Sequence, residues 1–195
     1  MSEWSDAQGW EASWWGDCTN TFHEEQKQLV YAHRMGLEAL ADGGRWPVFD
    51  LDGTSVLDLG GGPVSLLLKS RGRGDRRHVV VDPGAYPEWV RERYKLKGIK
   101  WSQKPAEDYD AGGRFDEVWI YNVLQHVREP SAVIRTAQKH ASRIRIFEWV
   151  DTGTNIGHPH NLTRQLLDRL LGEAGVVEQL NESGCVGKAY YSTVG

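Results

Sequence analysis

Nothing in this chain is apolar for long enough to matter to a membrane. No run approaches the roughly 20 residues that a spanning helix needs, and the opening MSEWSDAQGW carries neither the basic nor the hydrophobic stretch of a secretory leader. A cytoplasmic protein without a membrane partner is expected. Cysteine is almost as scarce: Cys18 and Cys185 are the two thiols among 195 residues, far apart and outside any CxxC spacing, so neither a disulfide framework nor a zinc site is supported. Positive charge is not in excess either. The 23 Lys and Arg face 27 Asp and Glu, a net charge of −4, so no nucleic-acid partner is expected. The local run of Arg71, Arg73, Arg76 and Arg77 is interleaved with glycine and reads as a solvated loop. No GK[ST] triplet occurs, so a Walker phosphate loop is absent.

What the chain does have is length for one well-cored domain and an N-terminus unlike the rest. Five of its nine tryptophans stand at positions 4, 10, 14, 15 and 46. TFHEEQKQLVYAHRMGLEAL places Thr21 three residues before Glu24, a capping-box spacing, and its apolar positions predict a helix over 22–40, ended by the glycines of ADGGRWP. Residues 1–52 are therefore read as a Trp-rich helical lid or cap, and 53–195 as the core. In the core, SVLDLG, RHVVVDP, GIKWS, FDEVWIYNVL and RIRIFEWV read as strands. Between and after them, VSLLLKS, YPEWVRERYKL, PSAVIRTAQKHA and NLTRQLLDRLLG read as helices, the last capped by Asn161 or Thr163 and stopped by Gly172. GVVEQLN and GKAYYSTV close the series as two strands joined by a short glycine-containing turn. Alternation of this kind implies an α/β fold with a mainly parallel sheet, helices on both faces and an antiparallel edge.

The stretch VLDLGGGPVS joins the first core strand to a turn of three glycines. Without Cβ atoms such a turn lets backbone amides approach a ligand closely, and in an open α/β sheet it lies at the carboxyl ends of the strands, where ligands bind. Asp82 ends the second strand about two dozen residues after Asp58, the spacing at which a carboxylate accepts bonds from both hydroxyls of a ribose. The bland alternatives are an ordinary turn for the glycines and a turn cap before Pro83 for Asp82.

Together these segments resemble the motifs of the class I S-adenosylmethionine-dependent methyltransferases. VLDLGGGPVS is similar to the family's first motif through Asp58, Gly60, Gly61 and Gly62, with Val64 where a last glycine commonly sits. VVVDP resembles the second, with Asp82 and Pro83; QKPAEDY resembles the segment whose Ala106 and Glu107, or Asp108, meet the adenine; FDEVWIYNVLQHV resembles the fourth and leads to Asn122 and His126. The resemblance implies a Rossmann-like, doubly wound seven-stranded sheet of order 3-2-1-4-5-7-6 with one antiparallel strand. It also implies S-adenosylmethionine as cofactor, S-adenosylhomocysteine as product, and cofactor contacts from these motif residues.

Methyl transfer to a hydroxyl profits from a general base. The candidates are His126, His158 and His160, with Glu148 and Asp151 as carboxylate partners. His126 reads either as a packing histidine or as a base, and the His158-Pro159-His160 segment as a loop stop, a base with its partner, or a metal site. Relatives in the ubiquinone pathway hold a metal through two acids and a histidine. Asn122 and Gln125 stand here in place of the acids, so no metal is expected through that motif. Trp14, Trp15, Asn20 and Tyr31 read as lid or acceptor contacts, the alternative being tryptophans that merely anchor a helix. With no inserted substrate domain, specificity is assigned to the N-terminal helix, the loop after the fifth strand and the turn between the last two strands. A [DNS]PP[YFW] motif of amino-methylating DNA enzymes is absent. The expected function is O-methylation of a small molecule or a glycan hydroxyl. The alternatives are a protein or N-directed methyltransferase and a non-catalytic domain that binds S-adenosylmethionine.

Overall fold

The computed structural model describes residues 3–40, 47–51, 53–71 and 76–195; Arg73, Trp46 and most of the ADGGRWP stretch lie outside the described residues. The chain opens with α1 (Glu3–Trp15) and α2 (Phe22–Arg34). α2 is shorter than its pattern predicts. It ends at Arg34 with Met35 as its C-cap, and Gly36 at φ 72° turns the chain into the short strand β1 (Ala39–Leu40). Thr21 sits at the N-cap but makes no side-chain cap bond; its Oγ1 donates to Glu25 Oε1 at 2.7 Å, and Glu24 instead pairs with Lys27 at 2.6 Å. At the other end, Arg145 Nη1 donates to the carbonyls of Met35 (2.7 Å) and Gly36 (3.2 Å), satisfying groups that a helix terminus leaves over.

Next come β2 (Val48–Asp50) and β3 (Val56–Leu59). The expected helix over VSLLLKS is instead two 3₁₀ turns, Gly62–Val64 and Leu66–Lys69, running into β4 (Ser70–Arg71). Ser65 between the turns is extended (φ −43°, ψ 145°), which interrupts any α-helix. β1, β2 and β4 form a small separate sheet. The remaining elements follow the predicted alternation: β5 (His78–Val81), α3 (Glu88–Leu96), β6 (Lys100–Ser102), β7 (Phe115–Tyr121), α4 (Pro130–His140), β8 (Ala141–Trp149), α5 (Arg164–Leu171), β9 (Val176–Glu182) and β10 (Cys185–Val194). Thr163, rather than Asn161, caps α5 by accepting from Leu166 N, and Gly172 stops it at φ 78°. Ser183 (φ 48°) and Gly184 (φ 78°) alone join β9 to β10, the two positive φ values of a type I′ hairpin turn.

The large sheet runs β6-β5-β3-β7-β8-β10-β9, and only β10 is antiparallel to its neighbours. Counted from β3 and leaving out β4, this is the order 3-2-1-4-5-7-6. Side chains alternate between its faces with the period of two expected of strands. Leu57, Leu59, Val118 and Ile120 join residues of α4 and α5 in one core, while Val56, Trp119 and Phe147 join Tyr31 and Met35 from α2 and its end, and Val90 and Tyr94 from α3, in the other. A sheet covered on both faces leaves the carboxyl ends of its strands as the open edge. Among the described residues no helix is long and apolar enough to cross a membrane.

Candidate active site

The glycine loop after β3 is fastened from beneath. Asp58, fully buried, receives hydrogen bonds on Oδ2 from Ser65 Oγ and from Tyr121 OH, the latter at 2.6 Å. Burial pushes its carboxyl up to about 7, against the pull of those two donors. Tyr94 OH donates to Gly62 O (2.7 Å) and accepts from Ser65 N (2.8 Å). The glycines are required sterically. Gly60 has φ 79°, and a Cβ there would stand 2.5 Å from Val123; a Cβ on Gly61 would stand 2.5 Å from Asp58 Oδ2.

Above the loop lies a cavity of about 570 Å³, a size at which small-molecule sites are found. Gly60, Gly62, Asp82 and Pro83 form one wall, Ala106 and Glu107 another, and Asn122, Gln125 and His126 a third. Asp82 accepts from Gly62 N (3.1 Å), Gly84 N (2.8 Å) and Tyr86 OH (3.0 Å). A carboxylate has about four acceptor sites, so one is left for a ligand, and exchange of the Tyr86 hydroxyl would free a second. Burial raises this group to about 6, so it is ionised at neutral pH. Asn122 carries φ 56° in the turn after β7, a conformation Asn tolerates better than most residues. Glu148 holds that turn from below: its carboxylate, fully buried and pushed up to about 7 by burial, accepts from the backbone of Val123 (3.0 and 3.2 Å) and Leu124 (3.0 Å).

α1 forms the roof. Trp4, Gln8, Glu11 and Trp15 recur at helical spacing along the cavity lining. Trp10 stacks on Trp14 at 5.5 Å and meets His158 edge-on at 5.9 Å. Glu11 Oε1 lies 3.0 Å from His126 Nδ1, which is also 2.8 Å from Gly157 O. With two acceptors around it, Nδ1 must carry the proton, which leaves the lone pair on Nε2, where the Gln125 amide approaches at 3.3 Å. Burial opposes charge on this imidazole, but Glu11 outweighs it and holds His126 above the usual histidine range. His158, in edge contact with His126 at 4.6 Å, is pushed the other way, by burial and by His126.

The structure thus brings His126, His158, Gly60, Gly62, Asp82, Pro83, Ala106, Glu107, Asn122, Trp14, Trp15 and Tyr31 to one cavity. Six other sequence candidates stand elsewhere. Asp58 and Gly61 lie under the loop, and Glu148 under the turn after β7. His160 Nε2 bonds Val127 O at 2.8 Å, and Asp151 pairs with Lys188 at 2.7 Å on the surface. Those contacts fix the loop after β8 and keep both side chains from the cavity lining. Asn20 lines a neighbouring cavity instead. Among the described residues no group of three His, Cys, Asp or Glu side chains is placed to hold a metal ion. Sequence reasoning did not reach Glu11 or Tyr86, and it placed Trp4 and Trp10 only as members of the Trp-rich N-terminal segment. Glu11 and Gln8 interrupt the stripe of α1, so no apolar periodicity marks it as a helix.

A seven-stranded sheet of this order, with a glycine loop and an acidic residue at the ends of its first two core strands, defines the class I methyltransferase fold. Residues 57–142 match the family described as a methyltransferase domain. The chain thus carries a methyltransferase domain over residues 57–142 on a class I methyltransferase fold, with S-adenosylmethionine as its cofactor. No curated protein matches it in sequence. Among solved structures it is similar to a 1,6-didemethyltoxoflavin-N1-methyltransferase from Burkholderia thailandensis with bound S-adenosylhomocysteine, at 16% identity and a TM-score of 0.60 over 97% of this chain and 88% of that one. A SAM-dependent methyltransferase from Thermotoga maritima aligns at 12% identity and a TM-score of 0.61, covering 99% of both chains. Magnesium protoporphyrin IX methyltransferase from Synechocystis aligns at 16% identity and 0.56, over 89% of this chain and 83% of that one.

Proposed function

We propose that this methyltransferase acts on a hydroxyl of a small molecule or glycan, with α1 as a lid over the site and His126 as the base. The observation that carries the reading is the Glu11–His126 contact, which sets an imidazole of fixed tautomer in the cavity wall under the roof. Asp82 suits the ribose hydroxyls, Gly60 and Gly62 the close approach of the cofactor, and Ala106, Glu107 and Asn122 the remaining edge. The buried Gln125 Oε1, which lacks a hydrogen-bond partner, is a further polar atom on that wall. S-adenosylmethionine, when bound, supplies a methyl group already activated by the sulfonium. What is left to the chain is to hold the acceptor and take its proton. His126 Nε2 receives that proton, and Glu11 stabilises the imidazolium that results. Trp10, Trp14 and Trp15 exclude water from the closed site.

The test is kinetic, with an accepted hydroxylated substrate. His126→Asn is expected to lower kcat about 10²- to 10⁴-fold, the range of general-base catalysis. Glu11→Gln should keep most cofactor affinity yet move the acid limb of the kcat profile to lower pH. The sign follows from the base working unprotonated while Glu11 raises its pKa. An unmoved limb would remove His126 from the mechanism.

A further inference from the structure

A second cavity, of about 500 Å³, shares Trp14, Trp15, Glu24 and Lys27 with the first. The inner cavity has to hold a nucleoside cofactor, itself a ligand of the size that fills cavities of about 300–1,000 Å³, so little of it is left for an acceptor. Any acceptor larger than a few atoms extends outward, and the shared wall gives the direction. The outer lining has a definite chemistry. Trp14 is held by its stack on Trp10, which covers one indole face, yet the residue remains 56% exposed. Around it stand Asn20, His23, Gln26 and Ser183, groups that both donate and accept hydrogen bonds. Lys27, among the described residues the one Lys or Arg of this lining, is neutralised by Glu24 at 2.6 Å, so the cavity is not built for a phosphate or a carboxylate. Ser183 stands at φ 48° in the two-residue turn that closes that wall.

An open aromatic face flanked by the amides of Asn20 and Gln26 and the hydroxyl of Ser183, with a neutralised ion pair at the edge, matches a ring that is apolar on its C–H face and hydroxylated at its rim. We propose that the outer cavity is a sugar subsite that holds a pyranose portion of the acceptor while the group to be methylated reaches into the inner cavity. The second half of this statement rests on the acceptor site described above; the subsite itself does not.

The experiment is saturation-transfer NMR on the full chain with excess S-adenosylhomocysteine, titrated with the methyl glycosides of glucose, galactose, mannose and rhamnose. At least one should bind in the millimolar range and change tryptophan emission. Trp14→Ala and Asn20→Ala, both at exposed positions, should each weaken it at least 5-fold. Absence of binding by all four glycosides, or binding unchanged in Trp14→Ala, would overturn the subsite. Cofactor binding is read separately by calorimetry. If S-adenosylhomocysteine fails to bind, the glycosides are titrated against the protein alone under the same criteria, so a lost cofactor site and a lost sugar subsite give different results.

Discussion

Asp58 and Asp82 end or nearly end neighbouring strands, and both are buried carboxylates, yet they do different things. Asp58 spends its acceptor capacity on Ser65 and Tyr121 beneath the glycine loop, whereas Asp82 stands in the cavity wall. Asp82→Ala is expected to weaken S-adenosylhomocysteine about 10- to 100-fold in calorimetry, since hydrogen bonds to charged groups contribute about 1.5–3 kcal/mol. Gly60→Val should abolish binding, because a β-branched residue at φ 79° is strained and its Cβ would meet Val123. Asp82 was legible in the sequence because a residue at the end of a strand next to the glycine turn has one place to go. Asp58 shows where spacing stops: it falls two residues earlier along the strand, and a strand residue's face is decided by register with β7 and by Tyr121, which no local pattern records. Glu11 was illegible for a further reason. Its partner His126 lies on an element more than a hundred residues away, and nothing local to either residue announces the pair.

At the scale of elements, alternating strands and helices were readable because apolar period and capping agree in them; α4 and α5 begin and end close to where Pro130, Thr163 and Gly172 place them. The misreadings differ in cause. Residues 35–40 were taken by strand pairing, β1 with β2, whereas VSLLLKS is divided into two 3₁₀ turns by the extended Ser65, and only its Ser70 pairs with β2. α1 and the loop after β8 are interlocked, for a Cβ on Gly157 would lie 2.6 Å from the Trp10 ring. Gly157→Ala is therefore expected to lift the roof. Hydrogen exchange over residues 3–15 should quicken several-fold, and the KM for the acceptor should rise more than kcat falls. Unchanged exchange would mean that the loop, and not α1, absorbs the methyl group.

For the molecule as a whole, burial raises Asp58 and Glu148 to about 7 and Asp82 to about 6, against unfolded values of about 4. A carboxyl with a raised folded pKa stabilises fully below its unfolded value, and that contribution is lost as pH rises through the folded one. His126, raised against its burial by Glu11, acts in the same direction; His78 and His158, lowered by burial, act against it. The cofactor-free protein is thus expected to melt at a higher temperature at pH 5.5 than at pH 7.5. Affinity for S-adenosylhomocysteine should move oppositely and fall below pH 6, as Asp82 takes up a proton and ceases to be a full acceptor. Calorimetric scans and titrations across that range check both signs.

The sheet order has a consequence for synthesis on the ribosome. β10 lies between β8 and β9, and among the described residues β9 pairs with no other strand. Residues 176–182 therefore leave the ribosome as a strand with no partner and stay so until the segment after them has emerged to fill the gap. A stop codon at the start of β10 leaves β9 without the strand that joins it to the sheet, and the turn at Ser183 and Gly184 without the hairpin that holds it against the outer cavity.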